Sequence, residues 1–69
     1  MRRFIRFREV HKKVGASKAT LYRWMQRGTF PRPYPLDDWG HSVAWLEEEV
    51  DSWINDRIAA RKARVHPAT

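Results

Sequence analysis

The spacing of apolar residues changes several times along this 69-residue chain, and each change marks an element. Phe4-Ile5-Arg6-Phe7 is a short apolar opening that suits an extended segment. From Arg8 to Val14 the spacing becomes helical: Phe7, Val10 and Val14 stand three and four apart and share one face, with His11 beside it. Gly15 breaks that helix. Ser17 then places a hydroxyl where the next helix should start, the N-cap position. Leu21, Trp24 and Met25 form one apolar stripe along this second helix. Lys18, Thr20, Tyr22, Arg23, Gln26 and Arg27 share its other faces, and Gly28 is placed to end it. Two helices joined by about three residues with a glycine make a helix-turn-helix connection. The second helix of that unit is the one that enters a DNA major groove.

Beyond Gly28 the period is lost. Pro31, Pro33 and Pro35 stand at alternate positions, which excludes a helix and favours extended backbone. Phe30 is expected to turn back into the core. Asp37-Asp38-Trp39-Gly40-His41 is rich in turn formers, and Ser42-Val43-Ala44-Trp45 alternates polar and apolar as a half-buried strand does. Extended segment, turn and strand predict a β-hairpin, which beside a helix-turn-helix is a wing. A two-stranded hairpin is not stable alone, so Tyr34, Leu36, Val43 and Trp45 are expected to pack on the helices. Leu46 to about Lys62 reads as a last helix, with Leu46, Val50, Trp53, Ile54 and Ile58 on one stripe. Glu47, Glu48 and Glu49 in its first turn, and Arg57, Arg61 and Lys62 in its last turns, complement the helix dipole. No repeat or linker is visible. The pattern predicts one mainly α domain over residues 1–69, three helices plus a small β-hairpin, with a basic frayed tail from about residue 61.

Charge adds direction. Residues 1–35 carry a balance of +9, residues 36–56 of −7 and residues 57–69 of +4, within a net +6. A basic first half suits a polyanion such as nucleic acid, and the acidic face of the last helix, with Glu48, Asp51 and Asn55, is expected to point away from it. The basic half lacks the long amphipathic helix a membrane surface would require. No apolar run of about 18 residues spans a bilayer, and the charged start is followed by no secretion-type apolar stretch, so a cytoplasmic location is expected. A domain this small buries only roughly 60% of its unfolded surface. With no cysteine to staple it, the nine aromatics, four of them Trp, are expected to supply the core volume.

Taken together, several pieces resemble one family. They are Phe4-Ile5-Arg6-Phe7, Val10, Gly15-Ala16-Ser17-Lys18-Ala19-Thr20-Leu21-Tyr22-Arg23, Gly28-Thr29-Phe30-Pro31, Val43-Ala44-Trp45 and Glu49-Val50-Asp51-Ser52-Trp53-Ile54. In this order, over roughly residues 4–60, they resemble the AlpA-type phage regulators and related excisionases, small winged-helix proteins with a MerR-like DNA-binding unit. The resemblance implies binding to short DNA repeats, either to activate a promoter or to direct integrase-driven excision. The chain departs from the family pattern at Lys13 and Ala16, where Leu is common, which predicts a thinner core at the first helix. Its wing tip, Asp37-Asp38-Trp39, is about two residues longer than usual.

Catalytic chemistry finds little support. His11, His41 and His66 are scattered and have no Cys partners for a metal site. The three consecutive glutamates read as a dipole device, Ser17 as a cap rather than a nucleophile, and no Gly-rich phosphate loop is present. The expectation is a DNA-binding protein without enzymatic activity, metal or cofactor. Lys18, Thr20 and Arg23 are candidates for the major groove, and Ser17 and Tyr22 for phosphates. Gln26 and Arg27 are placed for the backbone or the edge of the site, and Arg32 and His41 flank the wing as candidates for phosphate or minor-groove contact. Arg2, Arg3, Arg61, Lys62 and Arg64 are candidates for unspecific phosphate contacts. Trp39 is expected to be partly exposed, either covering the hairpin or wedging into a minor groove. Double-stranded DNA is the expected partner, with an integrase or RNA polymerase as candidate protein partners. The chain is expected to be monomeric in solution and cooperative on DNA repeats. The alternative is a small protein-interaction module of antirepressor type that uses the acidic last helix.

Overall fold

In the computed structural model, which describes residues 2–64 (Arg64 in backbone only), the opening residues pair with the middle of the chain in one sheet. Strand β1 (Phe4–Ile5) is followed by helices α1 (Phe7–Val14) and α2 (Lys18–Gln26), strands β2 (Tyr34–Pro35) and β3 (Val43–Leu46), and helix α3 (Glu47–Arg64). The sheet order is β1-β3-β2 and both pairings are antiparallel, with Ile5 opposite Trp45 and Tyr34 opposite Ala44. The expected hairpin is therefore present, but it gains a third strand from the chain's opening. Pro35, which cannot donate to a ladder, sits on the edge strand, where that costs least. Three helices and this small sheet make a winged helix-turn-helix. Of the expected tail, residues 65–69 lie outside the described residues.

The connection between α1 and α2 is shaped by two local contacts. Gly15 takes φ 80°, which a side chain would oppose, and its N–H reaches the His11 carbonyl at 2.7 Å. The His11 ring stacks on Phe7 and its Nδ1 lies 2.8 Å from the Ala16 carbonyl oxygen. A carbonyl only accepts, so Nδ1 carries the proton. At the other end of α2, Gly28 and Thr29 donate to the carbonyls of Met25 and Trp24, the paired bonds of a Schellman cap.

Ile5, Val10, Leu21, Met25, Phe30, Ala44, Trp45 and Val50 form the buried core. Beside it, Trp53 stacks on Trp24 and meets Phe30 edge-on at 4.9 Å between ring centroids. The loop after α2 is tied down by two indoles: Trp45 Nε1 donates to the Pro31 carbonyl at 2.9 Å and Trp53 Nε1 to the Thr29 carbonyl at 2.6 Å. Three expectations need correction. Tyr34 and Leu36 stay 39% and 41% exposed, because β2 is a two-residue strand at the edge of the sheet. Tyr34 leans instead on the Phe4 ring and donates its hydroxyl to Glu49 at 2.7 Å. Ile58 is 49% exposed, because α3 runs on past the core that buries Val50.

Lys13 turns its charge toward the acids of α3. Ala16 still packs against the core, while the Lys13 ammonium reaches Asp51 at 2.8 Å and Glu47 at 3.2 Å. Arg3 bonds Glu47 at 3.1 Å and also pairs with Glu9, and Arg2 faces Glu48. Asp51 is thus held by Lys13 rather than pointing freely to solvent, while Glu48 and Asn55 are exposed as expected. Hydrogen bonds from Arg3 and Lys13 lower the Glu47 carboxyl to about 2, and the bonds Lys13 donates to Asp51 and Glu47 raise its own value. A carboxyl depressed on folding stabilises the fold above its unfolded value of about 4.5, and that contribution is lost as pH falls through about 2. Thermal melts from pH 5 to pH 2 are therefore expected to show a loss of stability that Glu47→Gln largely removes. An unchanged slope in the variant would place the acid sensitivity elsewhere.

Candidate nucleic-acid interface

The outward side of α2 is built from its first turn. Ser17, in extended backbone, accepts the Thr20 N–H at 3.3 Å, as an N-cap does. Its own hydroxyl proton goes to Thr20 Oγ1 at 3.0 Å, and Arg23 Nη2 approaches the same oxygen at 3.4 Å. Thr20 Oγ1 thus accepts from both sides, which leaves its own proton to point outward. Ser17, Thr20 and Arg23 form one hydrogen-bonded row, three residues apart, while Leu21 and Met25 are buried behind it. No acid lies in the first turn of α2, so the unpaired N–H groups and positive dipole end of the helix are open to an anion.

Beside this row, α1, α2 and the wing enclose a shallow cleft of about 380 Å³. Lys18, Tyr22 and His41 meet there with Arg6 and Arg8. The Lys18 ammonium lies 5.8 Å from the centre of the Phe7 ring, and Arg6 Nη1 donates to the Val43 carbonyl at 3.5 Å. The wing tip that carries His41 is shaped by Asp37, whose carboxylate accepts the N–H groups of Trp39 and His41 at 3.2 and 3.0 Å. Trp39 is 77% exposed at that tip.

The structure therefore gathers Lys18, Tyr22 and His41 in the cleft and places Ser17, Thr20 and Arg23 on the adjoining helix row. Gln26 and Arg27 are exposed at the far end of α2, where Arg27 borders Trp24, Thr29, Trp53 and Arg57. Arg32 is not brought to this surface. It donates to the Met25 carbonyl at 3.4 Å, an oxygen that also accepts the Gly28 N–H, and borders Tyr34, Glu49 and Asp56. Arg2 and Arg3 are engaged with carboxylates of α1 and α3. Arg61 and Lys62 are exposed near the end of α3, and the Arg64 side chain lies outside the described residues. Arg6 and Arg8 are the residues that sequence reasoning missed. The available signal was their placement on either side of Phe7, which packs against the core and turns its neighbours outward.

A winged helix-turn-helix with a donor-bearing second helix is matched by a family model described as prophage CP4-57 regulatory protein (AlpA), over residues 3–58. The chain belongs to the AlpA family. It is 43% identical over 60 residues to the uncharacterized protein ORF88 of enterobacteria phage P4, covering 87% of this chain and 66% of that protein's length. It is 34% identical over 61 residues to the DNA-binding transcriptional activator AlpA of Escherichia coli K12, covering 80% of this chain and 84% of that protein. Among the described residues of this family member, no helix is long and apolar enough to cross a membrane. No three His, Cys, Asp or Glu among them are grouped to hold a metal ion.

Proposed function

We propose that this chain is a sequence-specific binder of double-stranded DNA that regulates transcription of phage or prophage genes. The observation that carries the reading is the exposed row of Ser17, Thr20 and Arg23 on α2, flanked by the basic cleft. In the major groove, Arg23, Thr20 and Lys18 face base edges. Tyr22, Arg6 and Arg8 hold phosphates on one side, joined by Ser17 when its hydroxyl proton turns from Thr20 to a phosphate oxygen; Arg27 and Gln26 reach the backbone at the other, and His41 follows the wing. Arg32 caps the end of α2 and is assigned no DNA contact. The role borne by the E. coli relative favours promoter activation, with RNA polymerase as the protein partner. An excision-directing role with an integrase uses the same surface, and a promoter–reporter assay beside an excision assay separates the two. The reaction class is binding without catalysis, by one domain acting as a monomer in solution.

Salt dependence is the direct test. Arg2, Arg3 and Lys13 are spent on carboxylates, which leaves Arg6, Arg8, Lys18, Arg23 and Arg27 on the proposed face. Neutralising about four to six phosphates should give a slope of log K against log salt near −4 to −5. Mobility shifts with random duplex at several salt concentrations measure it. A slope flatter than about −2, with little binding at any salt, would favour the protein-interaction reading.

A further inference from the structure

The apolar stripe of α3 continues past the core, and with α1 it forms a groove of about 630 Å³. Val14, Trp53, Ile54 and Ile58 supply its apolar side. Lys13 is drawn to Asp51 and Glu47, but Arg57, Arg61 and Lys62 stand along the groove, and among the described residues no acid lines it. Such a surface asks for a large apolar group accompanied by negative charge. DNA does not fit, because a phosphate gains nothing from the isoleucines.

This chain carries a group of that description. Trp39 is 77% exposed at the wing tip, next to Asp38 and Asp37. Asp37 uses its carboxylate to bend the turn, so Trp39 is presented by a fixed loop. The exposure also shows that Trp39 is not seated in the groove of its own chain. We propose that the Asp37-Asp38-Trp39 turn of one copy docks into the α1–α3 groove of a second copy. The indole lies against Ile54 and Ile58, while the aspartates face Arg57, Arg61 and Lys62.

The two surfaces differ, so the contact is head-to-tail and leaves an open turn and an open groove at the ends of any array. It buries far less than the roughly 1,000 Å² of a stable interface, so free copies associate weakly. Copies held on neighbouring DNA sites have a high effective concentration, and there the same contact becomes cooperative.

The test uses no DNA, so its outcome is independent of the proposed function. An isotope-labelled Trp39→Ala chain, which keeps only its groove, is titrated with an unlabelled Ile58→Asp chain, which keeps only its turn. Ile58 is half exposed, so this change should leave the fold intact, and the amide spectrum of each variant verifies that. Shifts are expected at Val14, Ile54, Ile58 and Arg61 of the labelled chain, half-complete on the order of 1 mM, the weak end of protein contacts. They should vanish when the unlabelled chain also carries Trp39→Ala, return in part with Trp39→Phe, and weaken with added salt. No shifts up to roughly twice that concentration would overturn the proposal. Shifts that persist without the unlabelled chain's Trp39 would overturn it equally.

Discussion

Trp45→Ala is expected to leave this domain largely unfolded at 37 °C. Trp45 is 2% exposed, pairs with Ile5 across the sheet, and holds the loop after α2 through its bond to Pro31. Removing a buried Trp side chain costs about 3–5 kcal/mol in transfer and cavity terms. At roughly 0.05–0.15 kcal/mol per residue, the whole domain has only about 3–10 kcal/mol to lose. Trp45→Phe keeps most of the volume and deletes the indole donor, leaving the Pro31 carbonyl without that partner. Its cost is expected near 1–2 kcal/mol, in the range of an unsatisfied buried group, which for a domain of this size is roughly 4–16 °C in Tm. Urea and thermal melts of both variants check the order. If Trp45→Ala melts within a few degrees of the parent chain, the core is not organised around this residue.

Arg23→Ala is expected to weaken a selected cognate site by about 10- to 100-fold while changing scrambled DNA much less. Arg23 sits on the row with Thr20, and the buried Leu21 and Met25 fix which way that row faces. Among the described residues its guanidinium meets Thr20 at 3.4 Å and no carboxylate, so a guanine edge can capture it without breaking an ion pair there. One bidentate arginine–guanine contact gives about 1–3 kcal/mol of discrimination. Tyr22→Phe removes a hydroxyl near the cleft and should weaken both sequences about equally, as a phosphate contact does. Selection from a random DNA pool supplies the cognate duplex, and affinities of each variant on cognate and scrambled duplexes at one salt concentration decide the roles. Equal loss on both by Arg23→Ala would move this residue to the backbone contacts.

The elements that could be read from the sequence are those written in local chemistry. The stripe of Leu21 and Met25, the Ser17 cap and the Gly28 stop specify α2 from within its own residues, and the order of helices, wing and last helix follows from similar signals. What the pattern could not show depends on partners distant in sequence. Pairing of Phe4 and Ile5 with β3 joins residues some forty positions apart, and a four-residue apolar opening does not announce a strand partner. The same distance hides the charge clamp. Arg2, Arg3 and Lys13 read as part of a basic surface until Glu47, Glu48 and Asp51 are seen opposite them. Ile58 continues a helical stripe faultlessly, but periodicity says nothing about where the partner helices stop. Arg32 was placed by its neighbourhood to the wing, whereas its reach back to Met25 depends on how the proline run turns.

The exposure of Trp39 has an optical consequence. Trp45 is buried, and Trp24 and Trp53 are partly buried and stack on each other, so the indole most open to water is the one at the wing tip. The chain thus carries its own fluorescent reporter at the wing. A dissolved quencher reaches that indole first, and whatever covers the turn, a nucleic-acid groove or another copy of the chain, shields it and shifts its emission to the blue.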